Sequence, residues 1–121
     1  MRVRVRVRVR VRVRVRVRVE RARAIQRERV RKRETTASAN AHLGVRDLER
    51  LCALDDASAS LIASAVRSLG LSARAYGKVL RVARTIADLE GATALAVEHV
   101  AEAVAARVLD RGPLSIAADA A

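Results

Sequence analysis

Apolar residues recur with a helical period over most of the second half of the chain. Between Leu71 and Glu90, Tyr76, Val79, Leu80, Ala83, Ile86 and Ala87 share one face at 100° per residue, while Arg74, Lys78, Arg81, Arg84 and Asp88 gather opposite. The pattern predicts an amphipathic helix of about five turns, capped by Ser72 and stopped by Gly91. Upstream, Leu48, Leu51 and Cys52 line a short helix over 45–54. Leu61, Ile62, Ala65 and Leu69 line a second, which Asp55 or Asp56 caps and Gly70 ends. Downstream, a brief extended segment over 93–95 leads to a last helix, 97–109, with Val100, Val104 and Val108 inward and Gly112-Pro113 as its stop.

The beginning of the chain follows a different rule. Residues 2–19 are nine repeats of Arg-Val, and strict alternation has the period of a strand. Nine unopposed arginines repel one another, however, and no other segment offers a partner strand. Wound as a helix, the same alternation scatters valine around the circumference and leaves no buried stripe. The arm is therefore expected to be disordered in isolation, becoming extended or helical when anions neutralise it. From Glu20 helix formers take over, with Glu20 spaced to pair with Arg23, and Glu28 with Arg31 and Lys32. The apolar stripe Val19, Ala22, Ile25 is narrow, so this helix leans on a neighbour rather than entering a core. Residues 35–40 are small and polar and read as a connector.

The expected fold class is all-α: a low-complexity arm over 1–19, a basic linker helix over 20–34, a small bundle of about four helices over 35–112 and a tail over 113–121. Composition narrows this further. With 121 residues, one Tyr and neither Phe nor Trp, the core rests on alanine, valine and leucine and is thin. The net charge of +12 is unevenly placed: residues 2–33 hold sixteen basic and two acidic side chains, and residues 34–121 nine basic and eleven acidic. A lone cysteine, Cys52, excludes an intrachain disulfide. No apolar run exceeds four residues, too few for a membrane helix or a secretory signal, so a cytoplasmic location is the default expectation.

Most catalytic chemistry is excluded by what is missing. His42 and His99 lack the spacing of a zinc site, and Cys52 on an apolar face reads as a small buried hydrophobe. There is no G-x-x-x-x-G-K-[ST] loop and no strand ending in paired acids to hold magnesium, so the chain alone is not expected to hydrolyse ATP. Arg74 stands in the first turn of the longest amphipathic helix. A cation there opposes the macrodipole, yet a planar guanidinium beside helix amides suits a phosphate; the alternative is a solvated arginine. The arm would bind nucleic acid or anionic lipid by counterion release, without sequence preference, and Arg21, Arg23 and Arg27 extend that basic surface. It holds no aromatic residue on which bases could stack. An equally simple origin for so regular a repeat is expansion of a six-base tandem repeat.

Several ordered landmarks add a resemblance. The run Leu71-Ser72-Ala73-Arg74-Ala75-Tyr76 continues through Val79-Leu80-Arg81-Val82-Ala83-Arg84-Thr85-Ile86-Ala87-Asp88-Leu89. Around it stand Val19-Glu20-Arg21-Ala22-Arg23 with Gln26, Asn40-Ala41-His42-Leu43, Leu51-Cys52-Ala53-Leu54-Asp55, His99-Val100-Ala101-Glu102-Ala103 and Leu109-Asp110-Arg111. Together they resemble the C-terminal helical lid of magnesium-chelatase-like AAA+ ATPases of the ComM/YifB group. The resemblance implies a lid that packs over a nucleotide held by a neighbouring ATPase core. Arg74 stands at the sensor 2 position, where it would touch the terminal phosphate, and Arg81 is a lesser candidate on the same helix. Arg81 and Arg84, further along the same exposed face, could face the core or a neighbouring subunit. ATP and magnesium are implied for full-length homologues, as are a hexamer of homologous subunits and an association with DNA during branch migration. Chelatase activity is not implied by the inherited name.

Two departures stand out: Gly77, where a larger residue is expected, and Arg31-Lys32-Arg33-Glu34, where a glycine-containing turn is expected. The core that should precede residue 18 is replaced by the Arg-Val tract, so the reading is a lid fragment from a truncated gene or misassigned start. The competing class is a stand-alone nucleic-acid-binding or interaction protein that uses the basic arm. A regulator docking on intact AAA+ subunits is a third.

Overall fold

The structure, a computed structural model, describes residues 2–120, with side chains over 12–109. It is all-α: α1 (Arg2–Arg31), a 3-10 turn (Asn40–His42), α2 (Val45–Leu51), α3 (Asp56–Leu69), α4 (Ala73–Glu90) and α5 (Val97–Ala120), with no strand among the described residues. Among the described residues, no helix is long and apolar enough to cross a membrane.

Helix α4 is the axis of the bundle, with α1, α2, α5 and the 3-10 turn packed around it and α3 against α5. Its ends are set locally. Ser72 accepts a hydrogen bond from the Ala75 amide at 3.2 Å, and Gly91 takes the left-handed conformation at φ 73°. The same logic bounds α3, where Asp55 accepts from the Ser58 amide at 2.7 Å and Gly70 turns at φ 63°. Because Asp55 must be extended to cap α3, α2 stops at Leu51, three residues short of the expected end.

Val79, Leu80, Ala83 and Ala87 of α4 meet Val100 and Ala103 of α5, with Leu43, Leu48, Cys52 and Ile62 closing the core. The three alanines let the two helices approach closely. Cys52 donates to the Leu80 carbonyl at 3.7 Å, and burial pushes its thiol up to about 11. A neutral, enclosed thiol is a packing group rather than a nucleophile.

Three expectations are corrected. The arm takes the helical alternative: α1 runs without a break from Arg2 through the expected boundary at residue 19. With no partner strand, a helix is the one state that satisfies the backbone within the segment, and arginine is a strong helix former. Nor does Gly112-Pro113 stop the last helix, which continues to Ala120. A helix-interior proline forfeits one amide bond at a cost of about 3 kcal/mol, but alanine-rich stretches on both sides favour the helix. Finally, Glu20 pairs with Arg16 at 3.1 Å rather than with Arg23, whereas the expected partners of Glu28, Arg31 and Lys32, are found at 2.6 and 4.0 Å.

The missing glycine after α1 also has its explanation. Arg33 adopts φ 60°, the Glu34 amide reaches the Arg29 carbonyl at 2.9 Å, and the Arg33 amide reaches Val30 at 3.0 Å. This is the hydrogen-bond pattern of a glycine-ended helix built with an arginine, at a cost of about 1–2 kcal/mol.

Candidate functional site

Two charged regions flank α4, and they differ in whether their charges are satisfied. The first is buried. Arg84 and Asp88 lie one turn apart on α4, and the side chain of Asp88 is fully enclosed. Its carboxylate accepts from Arg29 of α1 through both guanidinium branches, one at 2.8 Å. It also accepts from Arg84 Nε at 3.1 Å, Asn40 Nδ2 at 2.8 Å and Gln26 Nε2 at 3.4 Å. Arg84 in turn donates to the carbonyls of Leu51 and Thr93, each at 3.0 Å, and of Ala92 at 2.7 Å. Burial pushes the Asp88 carboxyl up, but the hydrogen bonds from Arg29 and Asn40 and the charges of both arginines outweigh it and hold the group below its ordinary value.

This overturns the reading of Arg84 and Asp88 as a solvated face. Arg84 does not reach a neighbouring subunit: it is 1 % exposed. Helical periodicity assigns charged residues to solvent by default, but here α1 and the α4–α5 connector cover that face. The stripe that α1 buries is Ala22, Gln26 and Arg29 rather than Val19, Ala22 and Ile25, and Val19 is exposed. Sequence reasoning singled out Gln26 and Asn40 only as landmarks of a resemblance, and Arg84 and Asp88 otherwise only as members of the polar face of the helix. The available signal was the i, i+4 spacing of Arg84 and Asp88 on an otherwise well-packed helix.

The second region is open. A groove of about 820 Å³ runs between α4 and α5, lined by Arg74, Lys78, Arg81 and Arg107 above aliphatic side chains that include Val82, Ile86 and Ala103. Among the described residues, four cations and no carboxylate line it. Arg74 is exposed in the first turn of α4, with neither an ion pair nor a side-chain hydrogen bond among the described residues. Arg81 is half-buried and donates to the Leu43 carbonyl at 3.0 Å, which anchors the segment after the 3-10 turn. Its guanidinium folds over buried Gly77, where an added Cβ would sit 3.0 Å from Nη1. The unexpected glycine thus makes room for the Arg81 head.

The groove's donor set suits phosphate oxygens. Magnesium would need acidic or neutral oxygen ligands that these side chains do not supply. Of the residues expected to extend the basic surface, Arg21 donates to the Leu89 carbonyl at 2.9 Å, while Arg23 and Arg27 are exposed on α1. Histidine chemistry is structural in the one case where it is enclosed. The Ala96 amide donates to His99 Nδ1 at 2.9 Å, and Nε2 faces Glu90 at 2.7 Å. His99 therefore takes the place of the acid in a capping box at the start of α5. Glu90, Glu98 and His99 bring their ligand atoms within 4.8 Å. In the neutral ring the proton must sit on Nε2, so a metal there would require an imidazolate or loss of the Ala96 bond.

The helical fold and its order of landmarks define a known class. Residues 12–107 match the family model described as magnesium chelatase, subunit ChlI C-terminal, and the chain belongs to that family. Within it, the chain is similar to competence protein ComM of Haemophilus influenzae, 44 % identical over 72 residues, or 60 % of this chain and 14 % of that protein. It is also similar to the uncharacterized protein YifB of Salmonella typhimurium and of Escherichia coli, 42 % and 38 % identical over matches of the same extent. The matched region is thus about one seventh of the length of these curated relatives. No solved structure matches the chain.

Proposed function

We propose that this chain is the lid portion of a ComM/YifB-like AAA+ ATPase, and that it supplies Arg74 to a nucleotide bound by an ATPase core outside this sequence. Family membership and the 72-residue similarity to ComM support the lid reading. The observation that carries the role of Arg74 is its state: a guanidinium at the head of the central helix, exposed and unpaired, in a groove of like charge. Bound ATP would supply the phosphoryl group, and magnesium would be held by acids of the core. Arg74 would stabilise charge developing on the terminal phosphate and make lid orientation sensitive to its presence. The chain by itself carries no phosphate-binding loop and is not a catalyst in this reading. In a full-length family member bearing this lid, Arg74→Ala should lower ATP turnover roughly 10²-fold while leaving thermal unfolding of the lid unchanged. Turnover equal to wild type would remove the assignment.

A second reading, nucleic-acid binding through α1, is favoured by the outward display of Arg12, Arg14, Arg16 and Arg18, of which only Arg16 has an acidic partner among the described residues. Affinity for a labelled DNA single strand should fall steeply with salt and drop at least about 100-fold when residues 2–19 are removed. Retention of tight binding by the shortened chain would refute this role.

A further inference from the structure

Arginines elsewhere in the bundle are satisfied wherever they are enclosed. Arg84 has four donor contacts to carbonyl and carboxylate oxygens, and Arg29 has Asp88 and Asn40. Arg107 breaks this pattern. It projects from α5 into the groove that Arg74 and Lys78 line from α4, and its Nε is buried without a hydrogen-bond partner. The rest of the side chain is half-buried and reaches the groove, so an anion that draws the guanidinium outward would supply the partner this donor lacks. Neighbouring cations add repulsion that no carboxylate among the described groove residues offsets.

We infer that Arg107 is a second phosphate-binding residue, which grips the phosphate chain of a nucleoside triphosphate from the α5 side while Arg74 holds it from α4. The inference rests on the phosphate-contacting role proposed for Arg74 and adds a partner on another helix. Among the described residues, Arg74, Lys78 and Arg107 are the groove cations with no partner within the bundle, since Arg81 already holds the Leu43 carbonyl. Three such charges match a condensed phosphate chain better than a single phosphate ester. Guanidiniums on two helices can each present paired donors to adjacent phosphate groups, which fixes orientation as well as charge. The aliphatic floor between them keeps water from competing along the inner edge of the bound chain. Because α4 and α5 each contribute a cation, occupancy would also draw the two helices together at this end.

The test uses the full chain and inorganic tripolyphosphate as the probe, read residue by residue from arginine Nε–Hε signals in nuclear magnetic resonance. Anions bound along α1 are then registered separately, by the α1 arginines. Arg107 and Arg74 signals should shift together and saturate at the same concentration. Arg74→Ala should weaken the Arg107 titration, and Arg107→Ala the Arg74 titration, each by about tenfold or more, with α1 signals unaffected. Adenosine should leave both signals in place. If Arg74 responds and Arg107 does not, or if Arg107→Ala leaves the Arg74 titration unchanged, the role of Arg107 is overturned and that of Arg74 stands. If neither signal moves at saturating tripolyphosphate, both readings fail. An equal response to adenosine would show that phosphate is not what the groove reads.

Discussion

Asp88→Ala is expected to lower the free energy of unfolding by about 3–5 kcal/mol, the cost of removing one partner from a buried ion pair. Against a total of about 5–15 kcal/mol for an ordinary domain, and with a core this rich in alanine, the variant should be largely unfolded near room temperature. The reason lies in what is left behind. Arg29 and Arg84 both point their guanidiniums at this carboxylate, and without it two enclosed cations face each other. Urea unfolding followed by circular dichroism measures the loss; a change under about 1 kcal/mol would mean that water or rearrangement replaces the carboxylate freely. The effect of acid has the same origin. A carboxyl whose folded pKa lies below its unfolded value stabilises the protein above the unfolded value, near pH 4, and that contribution disappears as pH falls through the folded value. Wild type should therefore lose stability below about pH 4. Asp55, held low by Ser58, and Asp47, held low by the Thr35 hydroxyl, act over the same range. The difference in acid sensitivity between wild type and the milder Asp88→Asn, which removes the titrating carboxyl and keeps its shape, is consequently what isolates Asp88.

Arg29→Ala should act differently, costing roughly 2–3 kcal/mol but mainly freeing α1. Asp88 keeps Arg84, Asn40 and Gln26, so the hub retains a charge partner. What disappears is the one guanidinium by which α1 reaches the carboxylate, leaving Ala22, Gln26 and the Arg21–Leu89 contact to hold the helix. Amide hydrogen exchange should accelerate sharply over residues 22–31 while amides of Leu80 to Ala87 stay protected. Unchanged protection in α1 would show that apolar contact alone docks it.

The parts of this molecule that were legible in its sequence are those decided by neighbours in the chain. Asp55, Gly70, Ser72 and Gly91 bound their helices as their chemistry dictates, because a cap needs only the next few amides. The inward face of α4 likewise followed from period alone, and on α5 so did Val100 and Val104, though Val108 lies outside the core that Ala103 enters. Tertiary cover was not legible. Whether Arg84 and Asp88 meet solvent depends on α1 returning over them through the turn at Arg33, and nothing in a linear pattern encodes that return. For the same reason the groove was only half visible. Arg74 drew notice by its place in a first turn, and Arg81 by its place on the same face. Arg107 carried no signal in the sequence, because only the packing of α5 beside α4 brings it to the groove. The end of α5 was misread for a simpler reason: Gly-Pro is a strong stop signal, but flanking alanines outweighed it.

The hub around Asp88 has one more consequence. Its carboxylate gathers α1 and the 3-10 turn, and its arginine on α4 gathers the end of α2 and the connector before α5. None of these four segments can peel away without baring the same charge, so opening that starts at any of them is penalised. A bundle too poor in large side chains to enforce all-or-none unfolding through its apolar interior acquires that cooperativity from a single ionic knot.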